Sequence, residues 1–182
     1  MSHVLTADGG TESLRVRIYD LDGRCVASHA EPYETKFMTG ARAEQNAEDW
    51  WSSLVTATQI CLKEANISGD AIDAMAYATT CCTVVALDKN GAPLRPALMW
   101  MDVRADKEAD AVLETGDQRL ILNGNGQGPV SAEWMIPKAL WLKRNEPKIF
   151  DDAVTICEYQ DYLTMRLTGE RCASLNNIGL RW

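Results

Sequence analysis

Residues 3–33, HVLTADGGTESLRVRIYDLDGRCVASHAEPY, decide the fold class of this chain. Residues 3–7 are short and mostly apolar. Residues 14–20 then alternate, with Leu14, Val16 and Ile18 on one side and Arg15 and Arg17 on the other. That two-residue period belongs to a half-buried strand. Between them, residues 8–13 have turn chemistry, and Asp22-Gly23 is a second hairpin signal. A third strand is expected over residues 25–33. Three strands joined by tight turns run antiparallel.

Beyond this meander the period changes. Residues 47–66 place Trp51, Leu54, Val55, Thr58, Cys61, Leu62 and Ala65 on one helical stripe. Asn46 is the expected N-cap, with Asp49 near the positive end of the helix. A buried strand is expected over residues 72–78, and further strands over 83–87, 97–100 and 154–157. Helices are expected over 103–114 and 158–167. Another opens at Ser131 as N-cap, and Pro137 within it implies either a kink or a late start near Ile136. Residues 123–129 hold three glycines and read as a loop. A meander followed by alternating helices and strands is an α/β domain with a mixed sheet and flanking helices. The tail from Ser174 has no clear period and stops on Trp182, as expected of a cut chain.

With 182 residues the chain is one domain in size. Its 18 basic against 26 acidic residues give a net charge of −8. An acidic surface repels nucleic-acid backbones and anionic membranes, so neither is expected as a partner. No apolar run reaches the roughly 20 residues of a spanning helix, and the N-terminus reads as no leader, which points to the cytoplasm. The six cysteines form no C-x-x-C pair. Reduced, mostly buried thiols are the simplest reading.

Three places could carry chemistry. In Asp8-Gly9-Gly10-Thr11, two glycines permit positive φ and close approach of backbone N–H groups to a ligand. With a hydroxyl beside them, such donors suit phosphate oxygens, and the carboxylate suits Mg²⁺. A plain hairpin turn satisfies the same residues. At Cys81-Cys82, extended backbone would point the two thiols to opposite faces and prevent both from chelating one metal. In Trp100-Met101-Asp102-Val103-Arg104, an aromatic face suits the C–H surface of a sugar, and Asp102 and Arg104 suit its hydroxyls. The competing reading is a helix cap and a solvated arginine. Glu158, Gln160 and Asp161 open a helix and read as dipole partners.

Taken together, the chain resembles the N-terminal domain of the FGGY family of carbohydrate kinases. The matching stretches are ADGGTESLRVRIYDLDGR, AEQNAEDWW, TTCCTVVALDKNGAPLRPALMWMDVRA, GPVSAEWMIPKALWLKRNEPKIF and EYQDYLTMRLTGE with SLNN. PLRPALMWMDVRA and DYL-x-x-x-LTG are the specific ones. The resemblance implies an actin-like, ribonuclease-H-like fold and transfer of the γ-phosphoryl group of MgATP to a sugar hydroxyl. It places Asp8, Gly9, Gly10 and Thr11 at the first phosphate loop, with Asp8 toward Mg²⁺. It places Cys81, Cys82, Trp100, Asp102 and Arg104 on the sugar side.

Two substitutions bear on the substrate. Glycerol kinases carry Arg-Glu where this chain has Thr80-Cys81, and xylulokinases carry Met-His where it has Cys81-Cys82. The Thr-Cys-Cys version resembles a pentulose or related ketose subgroup, although Ala78 stands where that subgroup would have an acidic residue. The family's catalytic base is expected beyond Trp182, as is a C-terminal nucleotide-binding domain. Residues 1–182 are then an N-terminal kinase domain, inactive by itself. The alternative is a non-catalytic actin-like module that binds a sugar or a partner. The choice between monomer and homodimer stays open.

Overall fold

The computed structural model describes residues 2–120, 130–175, 177 and 178. The expected loop over 123–129 lies outside them. Along the chain run β1 (His3–Gly9), β2 (Ser13–Asp20), β3 (Cys25–Pro32), β4 (Lys36–Met38), β5 (Arg42–Gln45), α1 (Ala47–Glu64), β6 (Ile72–Thr79), β7 (Val85–Leu87), β8 (Ala97–Leu98), α2 (Asp106–Glu114), α3 (Met135–Asn145), α4 (Pro147–Asp152), β9 (Thr155–Cys157) and α5 (Tyr159–Thr168). They form two compact units, residues 1–35 with 48–80 and residues 36–47 with 81–182.

The first unit is built on a mixed sheet of order β3-β2-β1-β6. β1, β2 and β3 pair antiparallel, and β6 joins β1 in parallel. The alternation seen in the sequence becomes one apolar face. Leu5 lies opposite Ile18 and Ala7 opposite Val16, and all four are buried. From α1, the Cys61 thiol reaches the Val16 carbonyl at 3.5 Å. The parallel partner could come only after a long crossover, which α1 supplies. β6 departs from expectation, since its side chains are largely exposed rather than buried. Like β3 on the other side, it is an edge strand, paired only with β1 among the described residues.

The second unit gathers smaller sheets, β4-β5-β8 and β7-β9, with α2 to α5. Its core joins Cys82, Val84, Ala86, Leu98, Ala105, Met135, Trp141 and Leu142. β4 and β5 have no signature in the sequence. Three to four residues are too few to show a period, and Glu44 and Arg42 break any apolar pattern. Helix α3 begins at Met135, so Ser131 does not cap it. The Ser131 hydroxyl instead accepts from the Glu133 N–H at 3.2 Å, in a separate turn. Pro137 falls in the first turn of α3, where its missing N–H costs nothing. Helix α2 begins at Asp106, three residues later than expected. Among the described residues no helix is long and apolar enough to cross a membrane.

Candidate functional site

In the first unit, β1 delivers Asp8 and Gly9 to its own end, so these two are strand rather than turn. Gly9 pairs with Leu14 on one side and Thr79 on the other, and Asp8 stands beside Ala78. The turn proper is Gly10 to Ser13, closed by the Gly10 N–H on the Ser13 carbonyl at 3.0 Å. Neither Gly9 nor Gly10 adopts positive φ, contrary to expectation. Space explains the second glycine instead. A Cβ at Gly10 would sit 3.3 Å from the Ser13 carbonyl oxygen, tighter than most side chains tolerate.

Four successive carbonyls of this turn are fixed from outside it. Gly9 accepts from the Thr80 N–H at 3.0 Å, and Gly10 from the Tyr33 hydroxyl at 2.5 Å. Thr11 accepts from the Thr35 hydroxyl at 3.3 Å, and Glu12 from the Tyr33 N–H at 3.1 Å. The turn is therefore held in one conformation by residues that the sequence did not mark. The Asp8 carboxylate, in contrast, is exposed and makes no hydrogen bond or ion pair among the described residues. Just past the end of the neighbouring strand β6, the buried Thr80 hydroxyl also lacks a partner among the described residues. The turn thus presents a fixed backbone and an unspent carboxylate.

The second unit holds Cys81, Cys82, Trp100, Asp102 and Arg104. Asp102 and Arg104 are buried rather than turned to solvent. The Asp102 side chain is wholly buried, and its Oδ2 accepts from the Ala43 N–H at 2.7 Å. Arg104 donates to it through Nε at 2.9 and 3.0 Å and through Nη2 at 2.7 Å. Burial pushes the Asp102 carboxyl up, but the Arg104 and Ala43 donors outweigh it and hold the group below the usual carboxylate range. Arg104 also meets Glu44 at 2.8 Å and lies 4.9 Å above the Trp141 ring. Glu44 in turn pairs with Arg95, whose Nε reaches Glu146 at 2.9 Å. This pair, read from the sequence as ligand contacts, ties the segment after β8 to β5. Such bidentate buried pairs fix geometry more surely than they add stability.

The group that organises the rest has no signature in the sequence. Lys138 of α3 is wholly buried. Its ammonium donates to the carbonyls of Met99 at 2.6 Å, Cys82 at 2.9 Å and Trp100 at 3.1 Å. It therefore holds the two sequence-marked segments together. Burial lowers its pKa to about 8 against nearby carboxylates, so it stays mostly charged at neutral pH. A lysine on an apolar helix face reads as solvated, and only packing shows otherwise.

Glu158 is the N-cap of α5 and forms a capping box with Asp161. It is more than a dipole partner, since its Oε2 also accepts from the Cys82 N–H at 3.1 Å. Its Oε1 is buried without a partner among the described residues. Burial raises its pKa to about 7, the Asp161 charge adding to this and the Cys82 N–H and Lys138 opposing it. Cys82 itself has φ of 67°, a left-handed conformation uncommon outside glycine. The expectation that Cys81 and Cys82 point to opposite faces fails for this reason, because their sulfurs lie 3.9 Å apart. Cys81 is exposed, Cys82 is buried and Trp100 is about a third exposed. Lys138 and Glu158 thus fix a backbone that presents Cys81 and Trp100 outward.

A sequence profile of the N-terminal domain of the FGGY family of carbohydrate kinases matches residues 3–180. The chain belongs to this family. Among relatives, a xylulose kinase from Streptomyces coelicolor is 31% identical over 182 residues, which span 98% of this chain and 36% of that protein. A xylulose kinase from Lactococcus lactis is 29% identical, over 93% of this chain and 33% of that protein. The crystal structure of xylulose kinase from Rhodospirillum rubrum superimposes with a TM-score of 0.85 at 26% identity, over 97% of this chain and 37% of that one. The actin-like fold is therefore that of the family. This FGGY domain spans about a third of the length of the relatives it matches.

Proposed function

We propose that this FGGY domain is the N-terminal, sugar-binding part of an ATP-dependent kinase that phosphorylates a hydroxyl of a pentulose or related ketose. The observation that carries the proposal is the family match over residues 3–180, together with relatives that are xylulose kinases. The nucleotide-binding half and the catalytic base would lie in a following domain.

Within this chain, Trp100 and Cys81 are the groups available to a sugar, and Cys82 shapes the backbone beneath them. Asp102 and Arg104 act as supports. The Asp8 to Thr11 turn is the proposed phosphate end. When bound, MgATP supplies the transferable phosphoryl group. An exposed carboxylate oxygen without a protein partner is the hard donor that Mg²⁺ takes. Mg²⁺ on a nucleotide needs only one or two carboxylates besides phosphate oxygens. The lack of any three-residue metal cluster among the described residues is compatible with that.

Steady-state kinetics of the two-domain kinase test the division of labour. Asp8→Asn should lower kcat about 100-fold, because charge builds at the phosphate end in the transition state. Trp100→Ala should raise the sugar KM about tenfold first, since stacking acts on ground and transition states alike. Unchanged kcat in Asp8→Asn would remove the phosphate assignment. A panel of ketopentoses, aldopentoses and glycerol identifies the sugar class, and turnover of glycerol alone would overturn the pentulose reading.

A further inference from the structure

The Cys81–Cys82 pair has a geometry that the kinase reading does not require. Two adjacent residues in extended backbone send their side chains to opposite faces. Here the left-handed φ of 67° at Cys82 turns both to one side. The Cys82 thiol donates to the Cys81 sulfur at 3.9 Å. Cys81 is open to solvent, while Cys82 lies beneath it at 6% exposure. The conformation is fixed at both ends of Cys82, by Glu158 on its N–H and Lys138 on its carbonyl.

Distances decide what such a pair can take. A disulfide joins Cα atoms that are usually about 4.4–6.8 Å apart. Consecutive Cα atoms across a trans peptide are only about 3.8 Å apart, so closing this pair on itself strains the backbone. A soft centre with bonds of about 2.3 Å to sulfur spans about 3.8 Å between two sulfurs at a tetrahedral angle. The observed 3.9 Å is an S–H···S contact, far longer than a direct S–S bond of about 2.05 Å and close enough for one centre to reach both sulfurs after a small shift. The Cys82 thiol is pushed up to about 12 by burial and by the neighbouring Cys81 and Glu158.

We propose that Cys81 and Cys82 form a dithiol clamp for thiophilic centres that bond two sulfurs at once, with trivalent organoarsenicals as the ligand class. The balance is simple. In an arsine oxide, the two As–O bonding interactions are replaced by two As–S bonds. The two thiol protons leave with the oxygen as one water, and arsenic stays trivalent. No oxidant and no thiolate in excess is needed. Entry is from the Cys81 side, and Cys82 closes the ring.

Phenylarsine oxide on the whole chain tests this. One equivalent should give a single adduct, mapped by peptide mass to residues 81 and 82. A monothiol in excess should leave it in place, and a dithiol should remove it. Cys82→Gly deletes the second sulfur and suits the left-handed φ, so the fold is kept. Retention against monothiol should then fall about 100-fold, the usual gain from linking two binding events. Cys81→Ser should lose the adduct altogether. An adduct mapped to Cys157 or Cys172 overturns the proposal, as does monothiol-resistant retention in Cys82→Gly.

Discussion

The turn after β1 and the segment after β8 were both marked by the sequence as ligand-bearing, yet they are satisfied in opposite ways. Around Gly9 to Glu12 the backbone carbonyls are taken up by Tyr33, Thr35 and Thr80, and the charged side chain of Asp8 has no partner among the described residues. After β8 the charged side chains are consumed by one another and by backbone. Asp102, Arg104 and Lys138 are buried and fully engaged. A motif shows which residues are special, and satisfaction shows which kind of special. Saturated buried charges position, and unspent exposed ones are available for chemistry.

Substitutions can break or sharpen that contrast. The largest effect is expected at Lys138. Lys138→Met keeps most of the volume but removes three hydrogen bonds; the buried Cys82 carbonyl loses its ammonium donor, while the Met99 carbonyl keeps the Asp102 N–H. Denaturant unfolding should show a loss of about 4 kcal/mol. A loss under about 1 kcal/mol, within the range of an ordinary surface change, would mean that water replaces the ammonium and that the lysine is not an organiser.

Glu158 comes next and is read through pH. Its folded pKa of about 7 lies above the ordinary value of 4.5. Between those values the folded chain keeps a proton that the unfolded chain has released. Stability therefore falls as pH rises from about 4.5 to 7, by about 3 kcal/mol for this group. Glu158→Gln should flatten that fall, measured as the difference in unfolding free energy at pH 5 and pH 7. An unchanged slope would place the proton elsewhere, with Asp161 the next candidate because burial raises it too.

The smallest effect belongs to Asp8. Asp8→Asn should change the stability of the chain by less than about 0.5 kcal/mol, since no described residue pairs with the carboxylate. A large destabilisation would show that the carboxylate has a structural partner and would erase the contrast with Asp102. The same substitution is the one expected to cost most in phosphoryl transfer.

Much of the architecture was legible in residues 3–33. The β1, β2 and β3 strands lie within two residues of expectation, because alternation and turn residues act locally. Helices α2, α3 and α5 were legible for the same reason, with the late start of α3 anticipated from Pro137, but α4 and the failure of Ser131 as a cap were not. β4 and β5 were not, because strands of three and four residues are made by their partners rather than by their own pattern. Nor was the edge position of β6, since burial depends on what pairs beside a strand.

For the site, sequence alone determined which residues deserve notice: Asp8, Gly9, Gly10, Thr11, Cys81, Cys82, Trp100, Asp102 and Arg104. It also determined the family, because order and spacing of specific strings survive where overall identity is near 30%. Only tertiary structure decided which of these groups are spent. Lys138 stands 56 residues from Cys82 and 39 from Met99, and Asp102 stands 59 from Ala43. No local period encodes contacts at that separation. They arise because a buried charge must find partners wherever the packed chain brings them, and the two thiols meet only because those partners fix Cys82 in a left-handed turn.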